Sequence, residues 1–387
     1  DTGYFFEVDL EYPDHLHHLH NSLPLAPEKV TVDKDMYSPY AASFDKDFVP
    51  SEKLIPMLSN KSNYVTHYRN LKFYIEHGLK VTKIHRILSF SQSFWMRNYI
   101  ELNTENRKRA VDEFEKDFFK LMNNAVFGKT IENVRNRIEI KMVTKENRLK
   151  KLAAKPNCKF SIRVNNDLVM VNIGQPKLML NKPIYVGFSI LDISKTLIYK
   201  FHYDTVTKRY GPDNAKLLFT DTDSLCYQIE TEDLYKDMSQ MIDEFDTSNY
   251  PVEHPLFSKT NAKVLGKFKD ETASIPPTEF IGLKRKMYSL PVTPNDPTKV
   301  TAKGVKRSWV EANLRHDTFR DVLFKKAVTY TDFQKFVSKN HSIHTTLLHK
   351  KCLDAFDDKR YLLDDGISSL SYGHMEIPLA KRRRLAE

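Results

Sequence analysis

The sequence predicts an α+β fold, and three stretches carry that prediction. Residues 91–134 have the period of an amphipathic helix, residues 138–190 break into short strand-like patches, and residues 216–229 set two apolar arms around an acidic tip. At 387 residues the chain can form two or three packed subdomains. Its 41% hydrophobic content is that of a globular protein, not a disordered one.

Taken in order, residues 1–60 are rich in turns, with Pro13, Pro24, Pro27, Pro39, Pro50 and Pro56 interrupting any long element. The helical stretch at 91–134 is expected to split near Asn103-Thr104, with Thr104 as the N-cap of its second half. Strands are expected at 137–143, 160–164, 168–173 and 183–188, with Val164-Asn165-Asn166-Asp167-Leu168 as a hairpin turn. A helix follows at 190–203, stopped by Gly211-Pro212-Asp213. A β-hairpin comes next, then mixed helix and strand to a basic tail.

Lys plus Arg number 60 against 50 Asp plus Glu, a formal charge of +10 that suits a polyanionic partner. Cys158, Cys226 and Cys352 are far apart and odd in number, so they form neither a disulfide framework nor a zinc knuckle; a reducing compartment is expected. No apolar run approaches the roughly 18 residues that span a bilayer, and no membrane partner is expected. There is no signal peptide, and the opening Asp1-Thr2-Gly3-Tyr4 reads as though it begins mid-protein.

The acidic tip lies in Lys216-Leu-Leu-Phe219-Thr220-Asp221-Thr222-Asp223-Ser224-Leu-Cys226-Tyr227-Gln-Ile229. The pattern predicts a hairpin with both carboxylates at its turn. Asp221 and Asp223 are two apart, so on extended backbone they lean to one side. Two carboxylates held together need a cation or a shared proton, and Mg²⁺, a hard ion that takes oxygen ligands, is the expected partner. An ordinary solvated turn has the same composition.

Residues 106–128, on one helix at about 100° per residue, place Ala110, Val111, Phe114, Phe118, Leu121, Met122 and Ala125 on an arc of roughly 120°. A separate arc of roughly 80° holds Arg109, Lys116, Lys120, Asn124 and Phe127. The first face should pack. The second carries cations for a triphosphate and an aromatic ring beside Gly128 that can close over a base. Asp112, Glu113 and Asp117 dilute this face, and a solvated basic face is the plainer reading.

Lys120-Leu-Met-Asn-Asn124-Ala125-Val-Phe127-Gly128 resembles the Lys-x-x-x-Asn-Ser-x-Tyr-Gly motif of family B DNA polymerases, with Ala125 for Ser and Phe127 for Tyr. Thr220-Asp221-Thr222-Asp223-Ser224 resembles that family's Tyr-x-Asp-Thr-Asp-Ser motif, with Phe219 for Tyr, and Lys286-Met287-Tyr288 its Lys-x-Tyr motif. The three stand in the family's order, about 100 and then 65 residues apart. Glu7-Val8-Asp9-Leu10-Glu11-Tyr12-Pro13, Pro24-Leu25-Ala26-Pro27-Glu28, Gly266-Lys267-Phe268-Lys269-Asp270-Glu271 and Tyr372-Gly373-His374 are similar to the protein-primed branch, as in Maverick/Polinton-type mobile elements and related organellar and viral enzymes.

The resemblance implies a right-hand polymerase: an antiparallel-sheet palm, helical fingers and a C-terminal thumb. It implies template-directed deoxynucleotidyl transfer to a primer 3′-OH in DNA replication, with two Mg²⁺ ions. Its partners would be primer–template DNA, dNTPs and a terminal priming protein. Asp223 would be a direct metal ligand and Asp221 the supporting carboxylate. Lys120, Lys116 and either Lys108 or Arg109 would contact the incoming triphosphate. Asn124 and Phe127 would line the nascent base-pair pocket. Gly128, Lys286, Tyr288 and Lys303 would hold template or primer. Residues 1–85 would match a palm insertion that meets the priming protein and DNA, 86–137 the fingers, 138–185 a second insertion around the template, 186–299 the palm, and 300–387 the thumb.

One motif of the family, Asp-x-x-Ser/Asn-Leu-Tyr, whose Asp is the second direct metal ligand, is not found. Asp9-Leu-Glu-Tyr12 does not match, because Tyr12 sits too close to Asp9. The family's exonuclease domain is not found either. A fragment that binds DNA but extends it poorly is therefore expected, with an inactive DNA-binding remnant as the alternative; a nuclease using Asp221 and Asp223 leaves residues 106–128 unexplained. His15, His17, His18 and His20 are expected in a surface loop, since no Cys or downstream His completes a zinc spacing. Lys381-Arg382-Arg383-Arg384 reads as a nuclear-import signal, a DNA-touching tail or a solvated terminus.

Overall fold

The computed structural model describes residues 2–44, 52–175, 177–291, 299–339 and 342–382. Pro50, Arg383 and Arg384 lie outside the described residues. The chain forms two compact units, one of residues 1–110, 191–329 and 351–387, the other of 111–190 and 330–350. The boundary at Ala110 divides the segment 86–137, and the first 85 residues join the body that carries 191–329.

The larger unit contains three separate cores and a smaller one. Strand Thr2–Glu11 is the centre of a three-stranded antiparallel sheet, flanked by Lys61–His67 and Lys80–Ser91. Alternation along Thr2–Glu11 buries Phe5, and after a register shift between Glu7 and Val8 it buries Val8 and Leu10. Helix Tyr68–Glu76 adds Leu71, Phe73 and Tyr74 to this core, and Tyr199 and Tyr203 complete it. The Tyr199 and Tyr203 hydroxyls donate to the carbonyls of Pro24 (3.3 Å) and Leu23 (2.7 Å), so a rigid tyrosine pair staples a long helix to a turn-rich segment. Buried Asp192 accepts from the His67 N–H at 3.0 Å and the Thr66 hydroxyl at 3.3 Å, tying the same helix to the sheet.

In a second core Met36, Ile55 and Met57 pack with Tyr361, Leu370 and Tyr372, joining the chain's first and last segments. The Arg360 guanidinium adds bonds to the carbonyl oxygens of Asn21 (3.0 Å) and Ser369 (3.0 Å). A third core, Ile281, Leu283, Met287, Ala302, Val310, Phe319 and Val322, lies under the sheet Ile281–Lys284, Met287–Leu290 and Lys299–Ala302. A fourth, Phe201, Val206 and Ala215, supports the acidic hairpin with Leu225 and Tyr227 packed against it.

In the smaller unit, strands Glu139–Val143, Leu168–Ile173 and Cys158–Asn165 form an antiparallel sheet with Leu168–Ile173 central. Helix Glu146–Ala153 covers it through Leu149 and Leu152. The turn expected at 164–168 is present between Asn165 and Leu168. Strands Thr329–Lys339 and Ser342–Leu353 pair as a two-stranded ribbon. Helices and predominantly antiparallel strands together make this the α+β chain expected, and no described helix is long and apolar enough to cross a membrane.

Several expected elements differ. The long helical stretch breaks at Ala110–Asp112, not at Asn103-Thr104, giving helices Arg97–Arg109 and Glu113–Thr130. Thr104 lies inside the first, its hydroxyl donating to the Ile100 carbonyl at 2.7 Å. The cap is Asp112, whose carboxylate accepts the Glu115 N–H at 2.7 Å. The strand expected at 183–188 is instead the start of helix Ile184–Lys200. Its Ile-Tyr-Val opening has strand propensity, but Pro183 suits the entry to a helix, and tertiary packing decided the outcome. A Cβ at Gly187 would overlap Ile131 and Thr130, so glycine permits this close approach. The 190–203 helix therefore begins earlier, and it continues through a π-helical segment, Phe201–Thr207. Gly211, at φ 79°, interrupts helical geometry where the stop was expected. The histidine segment is not a surface loop: His17 and His20 are buried, and the Met375 N–H donates to His17 Nδ1 at 2.9 Å.

Candidate functional site

The acidic segment folds as the expected hairpin, strands Ala215–Asp221 and Ser224–Ile229 closing on a two-residue turn in which Ser224 pairs with Asp221. Thr222 has φ 60°, the left-handed value that a tight hairpin turn demands and that a β-branched residue resists. The Asp223 N–H reaches the Asp221 carbonyl at 2.7 Å, and the Ser224 hydroxyl donates to the same oxygen at 3.3 Å. This corrects the extended-backbone argument. Asp221 ends a strand, while Asp223 follows a left-handed residue, so turn geometry and not strand alternation relates the two carboxylates.

A bulge refines the aim of the tip. Cys226 pairs with Phe219 but Tyr227 pairs with Leu217, leaving Leu218 unmatched. Bulges twist a ribbon locally and commonly re-aim side chains near sites. Below it the Tyr227 hydroxyl meets His202 Nδ1 at 2.9 Å, from the π-helical segment. Burial lowers the His202 pKa to about 4, which keeps the imidazole neutral at physiological pH.

The second strand system meets this hairpin through aromatic rings. Phe219 stacks on Tyr288 with centroids 4.5 Å apart and 23° between planes, and on Phe280 at 5.6 Å. That stack brings Lys286 to the turn, its Nζ 3.1 Å from Asp221 Oδ1. Lys286 has φ 55°, and its carbonyl accepts the Lys303 N–H at 3.0 Å. Asp221, Lys286, Tyr288 and Lys303, spread over some eighty positions of sequence, thus belong to one constellation in the larger unit.

Two turn carboxylates with exposed or half-exposed side chains are donors of the kind Mg²⁺ takes. Among the described residues no group of three His, Cys, Asp or Glu side chains could hold a metal ion. The donors fit an ion that takes further ligands from outside the chain and do not form a closed protein cage. Asp9, the other candidate acid, is engaged elsewhere: it accepts from the Asn63 N–H at 2.8 Å and from His85 Nε2 at 2.7 Å. Those bonds hold its carboxyl below the usual range.

The remaining predicted residues sit on two helices, not one. Lys108 and Arg109 end helix Arg97–Arg109, with Lys108 Nζ 3.0 Å from Glu105, whereas Lys116, Lys120, Asn124, Phe127 and Gly128 lie on Glu113–Thr130 in the other unit. The break invalidates a single wheel through Arg109 and Lys120. The expected packing face is also corrected. Val111 (91% exposed), Phe114 (79%), Leu121 (62%) and Phe118 (45%) face water. The better-covered stripe is Lys116, Phe119, Asn123, Val126 and Thr130, with Phe127 beside it. Lys116 is ion-paired to Glu113 at 2.6 Å, while Lys120, Asn124 and Gly128 are exposed. The Lys286–Asp221 pair and the His202–Tyr227 support were not anticipated; their partners are too far apart in sequence for any local pattern. The Asp112 cap had a local signal, since Asp112-Glu113-Phe114-Glu115 has capping-box spacing.

No protein-family model and no curated protein matches this chain. A solved structure, "Phi29 DNA polymerase complexed with primer-template DNA and incoming nucleotide substrates (ternary complex)", is similar at TM-score 0.48 and 14% identity, over 92% of this chain and 58% of that one. The chain therefore spans less than two thirds of that protein's length. A likeness of this size leaves the functional argument to the residues themselves.

Proposed function

We propose that this chain is the polymerising part of a family B-like DNA polymerase of the protein-primed branch. In this reading it transfers deoxynucleotides to a primer 3′-OH under template direction. The observation that supports it is the meeting of two motifs 65 residues apart: the Asp221–Asp223 turn, with Phe219 stacked on Tyr288 and Lys286 at Asp221. A solvated turn has no reason to be braced by an aromatic stack and a cation from a separate sheet.

The larger unit would supply the palm and the smaller one the fingers and the insertion around the template. Asp221 and Asp223 would hold Mg²⁺ together with the dNTP phosphates; when bound, the ion polarises a phosphoryl oxygen and neutralises developing charge. Lys286, Tyr288 and Lys303 would hold the primer strand. Lys120 and Lys116, with Lys108 or Arg109, would bind triphosphate, Asn124 and Phe127 would border the new base pair, and Gly128 would contact template or primer. Exposure of Lys120, Asn124 and Gly128 leaves them accessible to such ligands. A terminal priming protein is the implied further partner. Replication of a mobile or viral-type element is the implied setting.

The alternative, a DNA-binding remnant without catalysis, is favoured by one observation: no third metal-ligating side chain joins the turn among the described residues. Primer extension separates the two. The chain alone should bind primer–template and extend it poorly. The chain joined to an upstream segment bearing Asp-x-x-Asn-Leu-Tyr should extend it, and Asp223→Ala should cut that rate by about a thousandfold or more while duplex binding persists. No extension by the joined chain supports the remnant, and extension unaffected by Asp223→Ala overturns the assigned turn.

A further inference from the structure

We infer that Lys286 is an internal counter-cation for Asp221 that a divalent metal displaces, so that metal binding at the turn releases Lys286 to a DNA phosphate. The inference rests on the proposed reading of the turn as a metal site and adds a linkage between its two ligands.

The geometry separates a fixed backbone from a movable side chain. Lys286 is held at φ 55° between strands Ile281–Lys284 and Met287–Leu290, and the Lys303 N–H clamps its carbonyl at 3.0 Å. The Tyr288–Phe219 stack, 4.5 Å between centroids, fixes that strand against the hairpin. Only the flexible lysine stem is left to move. Its Nζ lies 3.1 Å from Asp221 Oδ1, with the lysine side chain 48% and the aspartate 35% exposed. An ion pair that wet is weak and exchanges readily, unlike a buried one.

Charge decides the direction. With Lys286 in place the turn carries two carboxylates and one ammonium, a net of one negative charge. A divalent ion supplies two positive charges to the same oxygens and repels the ammonium at close range. Lysine is a point charge on a four-carbon stem, suited to moving between two anions, whereas a bidentate arginine would be locked to one. The released ammonium then has DNA phosphate as its alternative partner. Because linkage is reciprocal, duplex binding that draws Lys286 away must tighten metal binding at the turn by the same factor.

Mn²⁺, which takes the oxygen ligands of Mg²⁺ and is visible by electron paramagnetic resonance, reads this without any catalytic assay. Mn²⁺ is titrated into the whole chain and its Lys286→Met and Asp221→Asn variants, with and without primer–template duplex, at constant ionic strength. Lys286→Met should bind Mn²⁺ about threefold more tightly than the unaltered chain, the scale of a half-exposed ion pair. Duplex should tighten Mn²⁺ binding by the unaltered chain more than by Lys286→Met, and Asp221→Asn should lose the site. If Mn²⁺ binds the turn with equal affinity in the unaltered chain and Lys286→Met, the inference is overturned and the metal turn stands. If Mn²⁺ binding is absent up to millimolar concentration, the inference is overturned, because no metal then displaces Lys286 without substrate; if binding survives Asp221→Asn unchanged, the reading of the turn itself fails. Circular dichroism of each variant confirms that the compared chains are folded.

Discussion

Thr222 concentrates the local chemistry of this protein in one residue. Its φ of 60° is a conformation in which glycine or asparagine is the ordinary occupant, and a β-branched side chain there costs on the order of 1–3 kcal/mol. Strain retained at a turn flanked by two carboxylates fits a tip whose shape serves binding. Thr222→Gly should therefore stabilise the larger unit by about 1 kcal/mol, measured by urea denaturation. It should also loosen Mn²⁺ binding, because the glycine turn samples more conformations. A stability unchanged or lowered would show that the threonine side chain contributes something the strain argument omits.

At the scale of elements, caps and close approaches decide where the helices lie. Asp112 caps helix Glu113–Thr130 through the Glu115 N–H, and Asp112→Ala should destabilise the smaller unit by about 1 kcal/mol in thermal unfolding. Thr104→Ala, at the position the sequence suggests as a cap, should cost less, since its hydroxyl bonds back to the Ile100 carbonyl inside a helix and caps no helix end. Gly187 tests the start of the neighbouring helix. A Cβ there overlaps Ile131 and Thr130, so Gly187→Ala should destabilise by about 1–3 kcal/mol, although alanine is the better helix former. A stabilising Gly187→Ala would mean that the two segments separate readily.

At the scale of the whole molecule, buried histidines set the response to acid. Burial lowers His20 to about 3 and His202 and His374 to about 4, against an unfolded value of about 6.5. Each is held neutral in the folded chain and takes up a proton on unfolding. Their stabilisation is therefore fully present above about pH 6.5 and is lost as pH falls toward 4, by up to about 1.4 kcal/mol per pH unit for each group. Urea midpoints measured from pH 8 to pH 4.5 should fall steeply below 6.5, and His20→Gln should flatten that slope. The His20 ring is held in place by a 2.8 Å hydrogen bond between its Nδ1 and the Tyr12 hydroxyl, which also accepts the Leu25 N–H at 3.2 Å. A flat profile would show that these rings are wetter than the packing indicates.

The acidic hairpin, the 164–168 turn and the α+β class were legible because each depends on residues near in sequence: apolar alternation, turn chemistry and helical period are local signals. The Asp112 break was equally local and marked by capping-box spacing, yet the continuous helical period ran across it. What required tertiary structure was every relation between distant segments. Strand-forming Ile184-Tyr185-Val186 became helix where Gly187 admits Ile131. Phe114, Phe118 and Leu121 have the spacing of a packed face but remain exposed, because periodicity says which residues share a side and not what lies against it. The pairing of Lys286 with Asp221 belongs to the same class. Its two halves are ordinary turn residues until the Phe219–Tyr288 stack sets their strands together, and a stack between residues far apart in the chain leaves no period in the sequence to read.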